Sequence, residues 1–230
     1  MLIGPQNLKA PVSRIRSQIA HAAEAAGRSP ASVTLVAVTK DKAAEYVRAS
    51  ATLGVTDFGE NYVKEALGKM DELAGLPVRW HFIGALQSNK TRPVAERFAW
   101  VHSLDRMSVA RRLSEQRPFH APFLNVCIQV ALVEEPAKGG VEPAALAELA
   151  HAVAELPRLK LRGLMCLPPP LPDEDARRKL FASLRRHLET LNSQGLELDT
   201  LSMGMSADFQ AAIAEGATHV RIGTALFGSR

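Results

Sequence analysis

Eight apolar segments alternate with helix-type segments along the chain, and this alternation limits the folds that are open to it. The strand-type segments are VTLVAV (33–38), VTDFG (55–59), VRWHFIG (78–84), FAWVHSL (98–104), FLNVCIQV (123–130), LKLRGLM (159–165), DTLSM (199–203) and THVRIG (218–223). Strict alternation predicts parallel strands joined by right-handed helical crossovers. Eight such units in 230 residues predict an α/β fold, a single (β/α)8 TIM-barrel domain over residues 1–230.

An extra helix is predicted before the first strand. Apolar residues recur at helical spacing from Leu8 to Ile19 within residues 5–27, and Gly27 ends the segment as a C-cap. The later helices are predicted at about 42–53, 60–74, 88–97, 106–116, 142–155, 173–193 and 207–215. A doubly wound open sheet shows the same alternation and stays as the alternative fold, although no G-x-G-x-x-G motif follows the first strand.

Composition and charge restrict the class of protein. No apolar run approaches the roughly 18 residues that a membrane helix needs, and the start of the chain lacks a secretory signal pattern, so a cytoplasmic protein is expected. Cys127 and Cys166 fall at predicted strands without metal-ligand spacing, so neither a disulfide nor a metal site is expected. The formal net charge of +4 permits an anionic ligand, but no nucleic-acid motif accompanies the basic residues.

The first strand finishes on a lysine. Lys40 follows the apolar run LVAVT, and alternation puts its side chain on the same side as Val36 and Val38. If that side is the barrel interior, the amine projects into a dry mouth, where burial favours the free amine that attacks a carbonyl. The alternative is a lysine whose stem simply extends to water at the end of a strand.

Glycine-bearing turns follow the last two strands, where barrels frequently bind phosphate. In SMGMSADFQAA, Ser206 is expected to cap a helix that starts near Ala207 and to offer its hydroxyl group to an anion. Gly204 and Gly223 let backbone N–H groups approach a ligand, and Thr224 adds a further donor. The alternative is an ordinary N-cap and ordinary turn glycines. With a lysine across the mouth, these turns predict a carbonyl ligand that carries a phosphate, and pyridoxal 5′-phosphate meets both requirements.

Several motifs resemble those of the YggS/PROSC family of pyridoxal-phosphate homeostasis proteins. They are LVAVTK, FGENYVKEAL, WHFIGALQSNKTR, VHSLDR, LRGLM and LSMGMSADFQAAIAEGATHVRIGTALFG, in the family's order from about residue 30 onward. The resemblance implies the fold type III barrel of alanine racemases without their second domain. It also implies a monomer that carries or buffers pyridoxal phosphate in vitamin B6 homeostasis, with pyridoxal-phosphate-dependent apo-enzymes as partners and no robust catalysis.

The same resemblance implies which residues contact the cofactor. The positions carried over are Lys40, Asn61, His81, Met203, Ser206, Arg221, Gly223 and Thr224. Lys40 corresponds to the Schiff-base lysine, and Asn61 is expected beside the ring. Ser206, Gly223 and Thr224 are expected to hold the phosphate.

For three of these positions a second interpretation stays open. Arg221 is expected to face the pyridine nitrogen, and the alternative is a barrel arginine neutralised by a carboxylate such as Glu60 or Asp208. His81 and Met203 are expected to form the pocket wall, and the alternative for each of them is packing in the core.

Two other functions compete with a cofactor carrier. A pyridoxal-phosphate-dependent racemase needs an acid or base on each face of the substrate, typically a lysine and a tyrosine, and only Tyr46 and Tyr62 are available here. A scaffold for nucleic acid or protein would use basic helix faces such as that of Arg178 and Arg185. No nucleic-acid or membrane partner is expected.

Overall fold

In a computed structural model of the protein, eight parallel strands close into a barrel in sequence order. The structure describes residues 2–133, 139–169 and 173–229. The strands are β1 (Thr34–Val38), β2 (Asp57–Glu60), β3 (Arg79–Phe82), β4 (Trp100–Leu104), β5 (Leu124–Gln129), β6 (Leu159–Met165), β7 (Thr200–Ser202) and β8 (His219–Ile222). Because β1 pairs with both β2 and β8, the sheet closes on itself. The predicted barrel is confirmed, and the open-sheet alternative is wrong.

Helices cover the outside of the barrel. The first, α1 (Lys9–Ala25), precedes β1 as predicted and buries its apolar face. The others are α2 (Ala44–Thr52), α3 (Val63–Glu72), α4 (Thr91–Arg97), α5 (Met107–Gln116), α6 (Pro143–Ala154), α7 (Glu174–Ser193), α8 (Phe209–Ala214) and α9 (Thr224–Phe227). Short 3-10 turns lie at Pro5–Asn7, Pro30–Ser32 and Ser88–Lys90. The helix α9 lies outside the predictions, because four residues are too few to show a helical period.

Alternation along the strands separates an outer apolar core from the barrel interior. Outward side chains such as Phe58 and Val101 pack with the helices in the main core. Trp100, Cys127 and Met165 form a separate buried cluster on the inward side. The interior also contains buried histidine, serine and arginine side chains, so it is more polar than the outer core.

Two predicted loops fall partly outside the described residues. In the loop expected at 133–140 these are residues 134–138, and in the loop expected at 167–176 they are residues 170–172. Beyond the second loop, the Asp173 side chain caps α7 by accepting a hydrogen bond from the Ala176 N–H at 2.7 Å. No helix within the described ranges is long and apolar enough to span a bilayer.

Candidate cofactor site

Lys40 lies two residues beyond the end of β1, at the carboxyl-terminal mouth of the barrel. Its side chain is exposed, so the expectation of an amine buried in a dry mouth is wrong. The physical reason is that β1 ends at Val38 and the chain turns at Lys40 and Asp41, where Asp41 has a φ of 60°. Lys40 nevertheless lines a pocket of about 150 Å³ together with Val38, Gly223 and Thr224.

A buried charge cluster holds the backbone on both sides of this lysine. The Lys69 ammonium on α3 donates hydrogen bonds to Glu60 at 2.8 Å, to Glu65 at 2.6 Å and to the Thr39 carbonyl oxygen at 2.6 Å. The Thr39 hydroxyl also donates to Glu60 at 2.6 Å, and the Asp41 N–H donates to Glu65 at 2.7 Å. The turn that presents the pocket lysine is therefore fixed by two carboxylates and one ammonium.

Sequence reasoning missed this cluster. The side chain of Lys69 is buried, with 6% of it exposed, whereas Lys40, for which a buried amine was expected, is exposed. The available signal was the spacing of four residues between Glu65 and Lys69, next to a glutamate at the end of a buried strand. Burial raises the pKa of Glu60, while the charge of Lys69 opposes that rise. Because Glu60 bonds to Lys69, it is not the carboxylate that neutralises Arg221.

The turns after β7 and β8 come together at the mouth. The Ala225 N–H donates to the Ser206 Oγ at 3.1 Å, directly beside Thr224. The prediction that Ser206 caps a helix near Ala207 is wrong, because α8 begins at Phe209 and its first turn is preceded by Asp208. Ser206 thus joins the two turns instead of capping α8.

Backbone geometry explains the glycines of these turns. Gly204 has a φ of +93°, and a Cβ atom there would lie 2.9 Å from the Phe209 Cα atom, so the turn after β7 requires glycine. Gly223 immediately precedes α9, and Thr224 is the first residue of that helix. The first N–H groups of a helix have no acceptor within the helix. Those at Gly223 and Thr224 are therefore suited to an anion.

Asn61 directly follows β2, and its side chain carries an acceptor that has no partner among the described residues. The backbone carbonyl oxygen of Asn61 packs closely on Gly84, because a Cβ atom added to that glycine would lie 2.2 Å from this oxygen. Its side-chain Oδ1 atom is buried and accepts no hydrogen bond from the described residues. A buried acceptor without a partner costs free energy, and such a group requires an explanation. Contact with a ligand would supply one.

Arg221 is a buried cation in the barrel interior, two residues before Gly223 on β8. Its Nη1 atom donates to the Ser202 Oγ at 2.7 Å, and its Nη2 atom donates to the Cys166 carbonyl oxygen at 2.9 Å. Burial lowers the pKa of Arg221, but a guanidinium remains charged in proteins. No carboxylate of the described ranges forms an ion pair with it, and the Asp208 carboxylate instead accepts from the Met205 N–H at 2.6 Å.

His81 and Met203 do not line the pocket at Lys40. His81 is fully buried in the barrel interior and stacks on Trp100, with ring centroids 5.6 Å apart. Met203 is fully buried in the main apolar core, because the residue after Ser202 points outward from the barrel. In this structure both side chains make core contacts.

The site residues fit a ligand with an aldehyde and a phosphate. An exposed amine shares its pocket with the residues that start α9, and the Ser206 hydroxyl lies beside them. Two further polar groups are available: the Asn61 Oδ1 atom and the Arg221 guanidinium. Within the described residues, the first accepts no hydrogen bond and the second has no carboxylate partner.

Comparisons with known proteins also point to a protein that handles pyridoxal phosphate. The alanine racemase N-terminal domain family matches residues 12–230. The pyridoxal phosphate homeostasis protein of Pseudomonas aeruginosa is 58% identical over 95% of this chain and 94% of its own length. That of Escherichia coli K12 is 47% identical over 95% of each chain.

Solved structures agree with these sequence matches. PipY of Synechococcus elongatus, solved with PLP bound, has a TM-score of 0.86 and 38% identity over 96% of this chain and 100% of its own. The alanine racemase of Corynebacterium glutamicum, at 19% identity and a TM-score of 0.70, shares the fold over 92% of this chain and 59% of its own. The chain belongs to the YggS/PROSC family of pyridoxal phosphate homeostasis proteins, built on the alanine racemase N-terminal domain.

Proposed function

We propose that this protein binds pyridoxal 5′-phosphate through Lys40 and carries or buffers it in vitamin B6 homeostasis, without robust catalysis. The observation that carries the proposal is that Lys40, Gly223 and Thr224 line one pocket at the barrel mouth. Two relatives named pyridoxal phosphate homeostasis proteins and PipY, solved with PLP bound, support it. When bound, the cofactor supplies an aldehyde that condenses with amines, and a Schiff base with Lys40 follows from that chemistry.

Each residue of the site has a proposed role. The Lys40 amine holds the aldehyde end, while the Ser206 hydroxyl and the N–H groups of Gly223 and Thr224 hold the phosphate. Asn61 lies beside the ring and uses its Oδ1 atom, which accepts no hydrogen bond from the part of the chain that the structure describes.

Three buried side chains, those of Arg221, His81 and Met203, complete the proposed site. Arg221 faces the pyridine nitrogen. His81 supports the wall from the barrel interior, and Met203 supports it from the outer core, so neither needs to touch the cofactor directly.

The competing racemase function requires a second acid or base at the site. Tyr46 on α2 packs edge-on against Phe227, with ring centroids 5.8 Å apart, so its ring serves the core. Tyr62 is 57% exposed at the start of α3. An arginine at the pyridine nitrogen can only donate a hydrogen bond, which favours the unprotonated ring and weakens it as an electron sink.

The competing scaffold function depends on free basic helix faces. Arg178 and Arg185 on α7 both form ion pairs with Glu215, at 2.8 Å and 3.4 Å. Their charge is therefore partly neutralised within the chain. We propose no nucleic-acid or membrane partner.

Two measurements test the proposed function. Purified protein mixed with pyridoxal phosphate should gain the visible absorption band of a Schiff base, which a scaffold protein would not show. Holo-protein with L-alanine in D₂O should show no α-carbon exchange at enzyme-like rates. Exchange above about 1 s⁻¹ that is lost in Lys40→Ala would instead establish the racemase.

The remaining features of the proposal concern the protein in the cell. We propose that it acts as a monomeric single domain over residues 1–230 in the cytoplasm and exchanges pyridoxal phosphate with apo-enzymes. The support is the barrel itself, which forms the pocket from the ends of its own strands β1 and β8.

A further inference from the structure

A continuous chain of hydrogen bonds runs through the barrel interior from Arg221 to Asp57. Arg221 Nη1 donates to Ser202 Oγ at 2.7 Å, and Ser202 Oγ lies 2.7 Å from His102 Nδ1. His102 Nε2 lies 2.9 Å from His81 Nδ1, and His81 Nε2 lies 2.8 Å from Asp57 Oδ1. None of the five residues is more than 3% exposed. The hydrogen-bond chain therefore crosses the interior through three fully buried side chains, Ser202, His102 and His81.

One arrangement of protons satisfies every link when both histidines are neutral. Arg221 can only donate, so Ser202 accepts from it and gives its own proton to His102 Nδ1. His102 then carries its proton on Nε2 and donates it to His81 Nδ1. His81 donates from Nε2 to the carboxylate of Asp57. Every member donates to the next, from the cation at one end to the anion at the other.

The surroundings keep these groups in the required charge states. Burial lowers the pKa of both histidines, and that of His102 falls well below its ordinary value, with the positive charge of Arg221 adding to the shift. Burial alone would raise the pKa of Asp57, but hydrogen bonds from His81 and Arg79 outweigh it and lower that pKa. The histidines are neutral and Asp57 is a carboxylate at neutral pH.

Two acceptors fix the direction of the Arg221 side chain. An arginine has five N–H donors. Those that Arg221 uses go to Ser202 Oγ and to the Cys166 carbonyl oxygen, and it makes no other hydrogen bond with the described residues. The remaining donors are the ones proposed to face the pyridine ring. The two acceptors consequently decide where those donors point.

We propose that His102 is a positioning residue for the cofactor: through Ser202, it fixes the Arg221 guanidinium toward the pyridine nitrogen. The inference rests on the proposed binding of pyridoxal phosphate. His102 takes the hydroxyl proton of Ser202, so a lone pair of Ser202 always faces Arg221. Without His102, the Ser202 hydroxyl is free to rotate, and Arg221 loses one of its two fixed acceptors.

The test uses the full-length protein loaded with pyridoxal phosphate that carries ¹⁵N in its ring. The ring nitrogen resonance and the visible spectrum are recorded for the wild type and for Arg221→Ala, which defines the signal without the arginine. His102→Leu and Ser202→Ala break the chain at neighbouring links. His102→Gln keeps one acceptor and one donor, so it should restore the chain.

His219→Leu is the matched control. His219 is a buried interior histidine whose ring centroid lies 5.9 Å from that of His102. Its Nδ1 atom pairs with the Thr218 hydroxyl at 3.1 Å, and Thr218 is not part of the hydrogen-bond chain. The same substitution in the same part of the barrel therefore removes packing without breaking a link.

The ring nitrogen resonance should move toward the Arg221→Ala value in His102→Leu and Ser202→Ala and stay at the wild-type value in His102→Gln and His219→Leu. A wild-type resonance in Ser202→Ala would overturn the inference, and so would an equal displacement in His219→Leu. Ser202→Ala removes a single oxygen atom, so it tests the inference even if His102→Leu does not fold. A wild-type protein that binds no cofactor overturns the proposed function, and this inference with it.

Discussion

The Nζ atom of Lys69 lies 2.8 Å from the Oε1 atom of Glu60, beneath the turn that presents Lys40. The two side chains are 6% and 0% exposed. The same ammonium donates to the carbonyl oxygen of Thr39, the residue just before Lys40. This buried ion pair also fixes the backbone next to Lys40. It therefore contributes both to the stability of the protein and to the position of the pocket lysine.

Replacing Lys69 by methionine should be strongly destabilising. Two carboxylates would lose their buried partner, and removing one member of a buried pair typically costs about 3–5 kcal/mol. Lys64→Met on the same helix is the matched control, because Lys64 is exposed and should change stability by no more than about 0.5 kcal/mol. Urea unfolding of both variants measures the difference. Equal stabilities would show that the cluster contributes little.

Stability should fall as the solution is acidified from pH 7 to pH 5. Burial lowers the pKa of His102 well below its ordinary value and that of His219 to about 3, whereas the pKa of an unfolded histidine is about 6.5. Below that pH the unfolded chain binds more protons than the folded one, so stability is complete above it and lost as the pH falls. Each such histidine contributes up to about 1.4 kcal/mol per pH unit.

The pH dependence is measured by urea unfolding at a series of pH values. His219→Leu should reduce the slope of stability against pH, because one proton acceptor that is exposed on unfolding is gone. His120→Leu is the control, since His120 is exposed to water in the folded protein as well. A slope that is the same for the wild type and His219→Leu would contradict the prediction.

Ser206→Ala should weaken cofactor binding. Losing one hydroxyl donor to a charged phosphate costs roughly 1.5 to 3 kcal/mol, while the N–H groups of Gly223 and Thr224 remain. Titration with pyridoxal phosphate measures the change. Ser193→Ala, at the exposed end of α7, is the matched control. An unchanged affinity in Ser206→Ala would mean that the phosphate lies elsewhere.

The strands were predictable because each is a short apolar run bounded by turn residues, and the alternation of these runs with longer helix-type segments specifies the barrel. The placement of Lys40 at the mouth followed from the same pattern. Its exposure did not, because the turn at Lys40 and Asp41, where Asp41 has a φ of 60°, is not visible in the apolar pattern of the strand. The burial of Lys69 depends on a partner from another element, Glu60, which local patterns do not reveal.

The hydrogen-bond chain was beyond sequence reasoning for a different reason. His102 and Ser202 are 100 residues apart, and only closure of the barrel brings their side chains within 2.7 Å. Met203 shows the effect of side-chain alternation between the two faces of the sheet. A shift of one position, from Ser202 to Met203, changes an interior side chain into one of the outer core.

The protein should sediment as a monomer or as a weakly associating dimer. The pocket is formed by the ends of β1 and β8 of the same chain, so no second copy is needed to supply Lys40, Gly223 or Thr224. Analytical ultracentrifugation over a range of concentrations, with and without pyridoxal phosphate, measures the state. A tight dimer at all concentrations would contradict the proposal.

Attachment of the cofactor to Lys40 underlies every role proposed for the site, and borohydride reduction of the holo-protein followed by peptide mass analysis reveals it directly. Reduction makes the bond between cofactor and lysine permanent, so the modified peptide identifies the residue. We expect the pyridoxyl group on Lys40 and its loss from that peptide in Lys40→Ala. A wild-type protein modified on Lys42, Lys64 or Lys69 instead of Lys40 would contradict the proposed attachment.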